Sequence, residues 1–129
     1  MKTKTAVSTP AAPAAIGPYS QAVVVGDQVF CSGQIPLDPA TGALVTGDFR
    51  AQAARVLDNL DAVLRAAGAS FADVVRTTVY LTDLADFTVL NEHYGERFTE
   101  PFPARVTVGV ASLPKGARIE MDVIAVRSA

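Results

Sequence analysis

At 129 residues the chain is long enough for one domain with a sizeable single core. Half of its residues are hydrophobic and 19% are charged, a balance that excludes a disordered chain. A net charge of -2 and a pI of about 5.2 argue against a tight electrostatic grip on nucleic acid, though not against a local basic patch.

Residues 1–15 are rich in Ala, Pro and Thr and are expected to form an extended N-terminal arm ahead of a single domain at 16–129. Lys2 and Lys4 precede no continuous apolar run, and Pro10 and Pro13 interrupt the stretch, so it makes a poor signal peptide. No segment approaches the apolar length of a membrane span, and a cytoplasmic protein is expected. Ile16-Gly17-Pro18 then bends the backbone. Tyr19 follows, either as an ordinary half-buried aromatic or as a hydroxyl at the rim of a pocket. Two short apolar runs, 22–25 and 28–31, flank Gly26-Asp27, which predicts a hairpin with a type I′ or II′ turn. Ser32-Gly33-Gln34 follows, and Gly33 would let a ligand approach the backbone closely. Residues 38–42 read as a plain loop.

The span 48–67 is the clearest element. Phe49, Ala53, Val56, Leu57, Leu60, Val63, Leu64 and Ala67 fall on one helical face. Asp48 suits the N-cap and Gly68 the C-terminal stop. Asp61 and Arg65 form an i,i+4 pair on the solvated side. Residues 74–82 are rich in β-branched side chains and predict a strand. Asp83 or Asp86 then starts a second helix carrying Phe87, Leu90, Asn91, Tyr94 and Phe98 along one side. Asn91 is the polar member of that stripe and needs a partner or a wet cavity. The sole cysteine, Cys31, reads as a small buried strand residue. The sole histidine, His93, is placed on a helix surface. Nothing resembles a metal site.

The last stretch, 102–126, reads as two strands joined by a Leu-Pro-Lys-Gly turn. On the first, Arg105, Thr107 and Gly109 oppose Val106, Val108 and Val110. On the second, Glu120 and Asp122 oppose Ile119, Met121 and Val123. A hairpin here would bring Arg105 near Glu120. The plainer reading of such a pair is a cross-strand ion pair of small effect. The sharper one gives Arg105 a bound carboxylate to hold and Glu120 a proton or water to handle. The order ββαβαββ predicts an α+β fold, a single sheet with two helices packed on one face. Apolar residues on both faces of the strands (Val108 with Ala111, Val123 with Ile124) predict that the other face is buried against further subunits.

The blocks IGPYSQA (16–22), SGQIPLDPATG (32–42), NLDAVLRAAG (59–68), VRTTVYLTDLADF (75–87), FPAR (102–105) and LPKGARIEMDVIAV (113–126) together resemble the RidA/YjgF family of enamine and imine deaminases, also known as endoribonuclease L-PSP. The resemblance covers nearly the whole chain after the arm, with the blocks in the family's order. It implies a chorismate-mutase-like homotrimer with sites between subunits, a small imino or enamino acid as substrate, and no cofactor. It gives Arg105 the substrate carboxylate and Glu120 the attacking water. Tyr19, Ser32, Gly33 and Asn91 would line the cleft, and the backbone at Thr107 would bond beside Arg105. Many members carry cysteine where this chain has Thr107. Two other functions stay open: a trimeric protein that binds or senses small carboxylates without turning them over, and RNA cleavage or translation inhibition. One histidine, an acidic pI and no aromatic-basic platform rank RNA chemistry lower.

Overall fold

A computed structural model describes residues 3–128; Met1, Lys2 and Ala129, at the ends of the expected arm and domain, lie outside the described residues. Six strands form one mixed sheet: β1 (Lys4–Val7), β2 (Ala22–Val25), β3 (Gln28–Gln34), β4 (Val74–Leu81), β5 (Ala104–Gly109) and β6 (Ile119–Val126). Their spatial order is β1-β2-β3-β6-β4-β5. Only β4 and β5 run parallel. Two helices, α1 (Phe49–Ala66) and α2 (Phe87–Arg97), complete the α+β fold.

Local chemistry accounts for most of these elements. Val25 pairs with Gln28 across the Gly26-Asp27 link, and Gly26 has φ +59° while Asp27 stays in the negative range, the signature of a type II′ turn. The Asp48 side chain accepts from the Ala51 N–H at 3.1 Å and caps α1. The predicted stripe of α1 is buried from Phe49 to Leu64. Asp61 and Arg65 meet at 3.1 Å on the wet side. α1 packs on β3 and β6, and α2 packs beside α1. The core lies between these helices and one sheet face, where Val29, Val79, Leu81, Ile119, Met121 and Val123 are buried.

Two expectations from the sequence differ from the fold. Residues 102–126 do not form a hairpin. β5 pairs in parallel with β4, with Arg105 opposite Thr77, while β6 inserts between β3 and β4. α2 bridges β4 to β5 as a crossover helix, which is the connection parallel neighbours require. β6 buries every second residue from Ile119 to Ala125, as suits an interior strand; β5 is exposed along most of its length and is an edge. The N-terminal segment is also more than an arm. Lys4–Val7 adds β1 to the sheet, with Thr5 opposite Val24.

Gln21 fixes the segment that follows β1. It is 3% exposed. Its amide oxygen accepts from the Thr9 N–H at 2.7 Å, and its amide nitrogen donates to the Pro13 carbonyl at 2.8 Å and the Thr9 carbonyl at 3.1 Å. A buried amide that meets backbone on both sides holds residues 9–13 in one conformation. Gln21→Ala is expected to destabilise the protein by about 1–3 kcal/mol, read by urea denaturation. Amide exchange at Thr9 should accelerate, and unchanged exchange there would contradict this role for Gln21.

Candidate active site

Alternation along the strands decides where the charged residues go. Thr77 is buried against α2, its hydroxyl 2.9 Å from the Tyr94 hydroxyl. Arg105 is its register partner, so Arg105 faces α2. Glu120 is the register partner of Tyr80. Tyr80 lies three positions after Thr77, an odd step along the strand, so Tyr80 and Glu120 project from the face that carries no helix. Arg105 and Glu120 thus lie on opposite faces, with β4 between them. Two strand spacings and three residues place their Cα atoms about 14 Å apart. Within one chain they form neither the expected ion pair nor a common pocket.

Glu120 sits in one of the hollows of the described surface. This one measures about 410 Å³ and is lined by Tyr19, Gly33, Ile35, Lys115 and Glu120, among others. The β3–β6 register slips between Cys31 and Gln34, and Ser32 and Gly33 occupy the slip. A Cβ on Gly33 would overlap the Glu120 carboxylate, so glycine is what lets that side chain lie across β3. Burial, and then the charge of Asp122, push the Glu120 carboxyl above its ordinary value of 4.5. The Ser32 hydroxyl donates to the Ser20 carbonyl at 2.6 Å and its N–H donates to the Gln21 carbonyl at 2.9 Å, tying the bulge to the Tyr19 segment. Tyr19 is exposed and its hydroxyl accepts a long 3.4 Å bond from the Ile16 N–H.

Arg105 sits in a second hollow, of about 520 Å³, with Asn91, Tyr94 and Phe102. Its Nη1 donates to Asn91 Oδ1 at 2.9 Å, which supplies the partner that the polar residue in the α2 stripe requires. The Arg105 guanidinium also lies over the rings of Tyr94 and Phe87. No carboxylate pairs with it among the described residues. Thr107 follows on the same face of β5, its Oγ1 buried and without a partner.

The remaining candidates do not enter either hollow. Burial, and then Asp122, push the Cys31 thiol up to about 12, so no thiolate nucleophile forms near neutral pH. His93, expected on a helix surface, is half-buried, and its Nε2 has no partner. Among the described residues no cluster of His, Cys, Asp or Glu could hold a metal, and no helix is long and apolar enough to cross a membrane.

The family model described as endoribonuclease L-PSP matches residues 9–127. The chain belongs to the RidA/YjgF family. The protein DfrA of Myxococcus xanthus is 58% identical over 123 residues, which span 94% of each chain. The human 2-iminobutanoate/2-iminopropanoate deaminase is 49% identical over 121 residues, 94% of this chain and 88% of its own. E. coli TdcF, solved with bound serine, matches with a TM-score of 0.90 at 44% identity, covering 96% of this chain and 99% of its own.

Of the RidA-like residues expected from sequence, one chain gathers Tyr19, Gly33 and Glu120 in one hollow, with Ser32 tied to that segment, and Asn91 and Arg105 in the other. Phe87 and Tyr94 were legible as the apolar stripe of α2, but their contact with Arg105 was not. Gly33→Ala is expected to destabilise by about 1–3 kcal/mol through overpacking. The cost should shrink in the Gly33→Ala/Glu120→Ala double variant, because the obstructing carboxylate is gone. Strictly additive denaturation energies would show that the two residues do not touch.

Proposed function

We propose that the protein is an imine deaminase that hydrolyses 2-imino acids such as 2-iminopropanoate and 2-iminobutanoate to 2-keto acids and ammonia, at sites built between subunits of a homotrimer. The observation that carries the reading is the placement of Arg105 and Glu120 on opposite faces of one sheet. Each hollow holds half of the needed chemistry, and a neighbouring chain would bring the other half. Phe30, Val106, Val108 and Val126 are each about 40% exposed or slightly more on the uncovered face, which supports covering it with further copies. The activity for which the human relative is named supports the reaction, and the serine bound in TdcF supports a small amino-acid-like ligand.

The chemistry asks little of the protein. The Arg105 fork holds the substrate carboxylate in two parallel hydrogen bonds, and this fixes the C=N carbon against Glu120 of the adjoining chain. Glu120 takes a proton from water as the water oxygen bonds to that carbon. The proton then passes to the nitrogen. The hydroxyl of the resulting carbinolamine then gives up its proton to Glu120, which delivers it to the amino nitrogen; the C–N bond breaks as the C=O bond forms, and ammonia leaves. Glu120 must be ionised to start the cycle.

The direct test is complementation between chains. Arg105→Ala and Glu120→Gln should each lose most of the activity, at least about 100-fold, consistent with loss of positioning and of the base. Co-assembled at equal amounts, the two variants should regain about a quarter of wild-type activity, because one adjoining pair in four joins an intact Arg105 to an intact Glu120. No recovery in verified mixed oligomers would overturn the shared-site reading. Glu120→Gln that still binds keto acid but does not hydrolyse imine separates catalysis from mere carboxylate binding.

The pH profile gives a second test. Burial and Asp122 disfavour the ionised form of Glu120, so the active base is lost at a higher pH than for a free glutamate. The acid limb of kcat/KM should therefore lie above 4.5 and should vanish from the residual activity of Glu120→Gln. A limb that persists in Glu120→Gln would assign the titration to another group.

A further inference from the structure

A carboxylate receptor must hold its guanidinium still without neutralising it. Arg105 starts from a poor position for this. It stands on an edge strand, and a free arginine side chain samples many rotamers. An acidic neighbour would fix it, but would also occupy the fork that a ligand needs. α2 offers a different solution. Phe87, Asn91 and Tyr94 are spaced i, i+4 and i+7, which places them on one stripe of the helix, and all three meet Arg105. Asn91 takes one N–H at 2.9 Å. The guanidinium carbon is 4.7 Å from the centroid of the Tyr94 ring and 5.3 Å from that of Phe87. Aromatic faces attract a cation while leaving its N–H groups free.

Tyr94 is itself held firmly. It is buried, its hydroxyl meets Thr77 Oγ1 at 2.9 Å, and its ring stacks on Phe98 with centroids 4.3 Å apart. Phe98 in turn meets Phe71 edge-on at 4.8 Å. Phe87, by contrast, is exposed.

We infer that Tyr94 is a positioning residue: its ring face, assisted by Phe87, holds the uncompensated Arg105 guanidinium in the plane that receives the ligand carboxylate. This rests on the reading of Arg105 as the carboxylate receptor. The ring face does the positioning, and the Tyr94 hydroxyl serves only to hold the ring.

The test measures the affinity of the assembled protein for 2-oxobutanoate by calorimetry, alongside KM and kcat for the 2-imino acid. Tyr94→Leu should weaken 2-oxobutanoate binding and raise KM by about three- to thirtyfold, the span from an exposed to a desolvated cation–π contact, with kcat at saturation little changed. Tyr94→Phe keeps the ring and should stay within about twofold. Phe87→Leu alters an exposed position, so it reports even if Tyr94→Leu does not fold, and it should show a smaller rise in the same direction. Three results would overturn the inference: wild-type affinity in both leucine variants, equal losses in Tyr94→Phe and Tyr94→Leu, or a fall in kcat with KM unchanged. A wild-type protein that binds 2-oxobutanoate but hydrolyses no imine would overturn the deaminase reading and leave this one standing. Absence of binding would overturn both.

Discussion

Strand β4 is the wall on which the rest of the arrangement depends. It has β5 on one side and β6 on the other, and a strand sends successive side chains to opposite faces. The separation of Arg105 from Glu120 is therefore set by backbone geometry, and no choice of rotamer removes it. Thr77 and Tyr80 make this concrete: the first ties the Arg105 side to α2, and the second shares the open face with Glu120. The same open face presents its apolar residues to solvent. Incomplete burial and the Glu120 half of the proposed site coincide on one surface, and in the proposed assembly the docking of further copies would address both.

The two half-sites use opposite electrostatic strategies. On the Glu120 side, burial and a like charge raise the energy of the ionised form, and Gly33 clears space for the carboxylate. The Tyr80 hydroxyl donates to Asp122 at 3.0 Å on the same face, which gives the second carboxylate a partner. On the Arg105 side the cation is held by an amide oxygen and two rings, none of which carries a full negative charge. A buried cation beside a carboxylate would gain more Coulomb energy, but it would have little left to offer a ligand.

Much of this was legible in the sequence because it rests on local rules. The α1 stripe, its Asp48 cap, the Gly-Asp turn and the polar anomaly at Asn91 each depend on residues a few positions apart. The path of 102–126 did not rest on local rules. Two strand-like runs joined through Leu-Pro-Lys-Gly look like a hairpin at short range. Pairing was decided instead by α2, which carries the chain across from β4 to a parallel neighbour, and by the fully buried side of β6, which draws that strand to the sheet interior. The Gln21 staple was hidden for a similar reason: its partners are backbone atoms of Thr9 and Pro13, and backbone atoms carry no signature in a sequence.

The mistaken hairpin and the candidate site share one cause. Adjacent antiparallel strands would have set Arg105 and Glu120 in one sheet layer, free to neutralise each other as a surface ion pair of small value. The crossover through α2 sets β5 on one side of β4 while β6 pairs on the other, so β4 stands between the two charges. It also delivers Phe87, Asn91 and Tyr94 to the Arg105 side, because the helix that makes the connection must lie over the strand that it feeds. One topological choice thus separates the charges, leaves neither with an oppositely charged partner among the described residues, and supplies the cradle for one of them. On the proposed reading, the stability forgone by not pairing them within a chain is what leaves both available to a ligand.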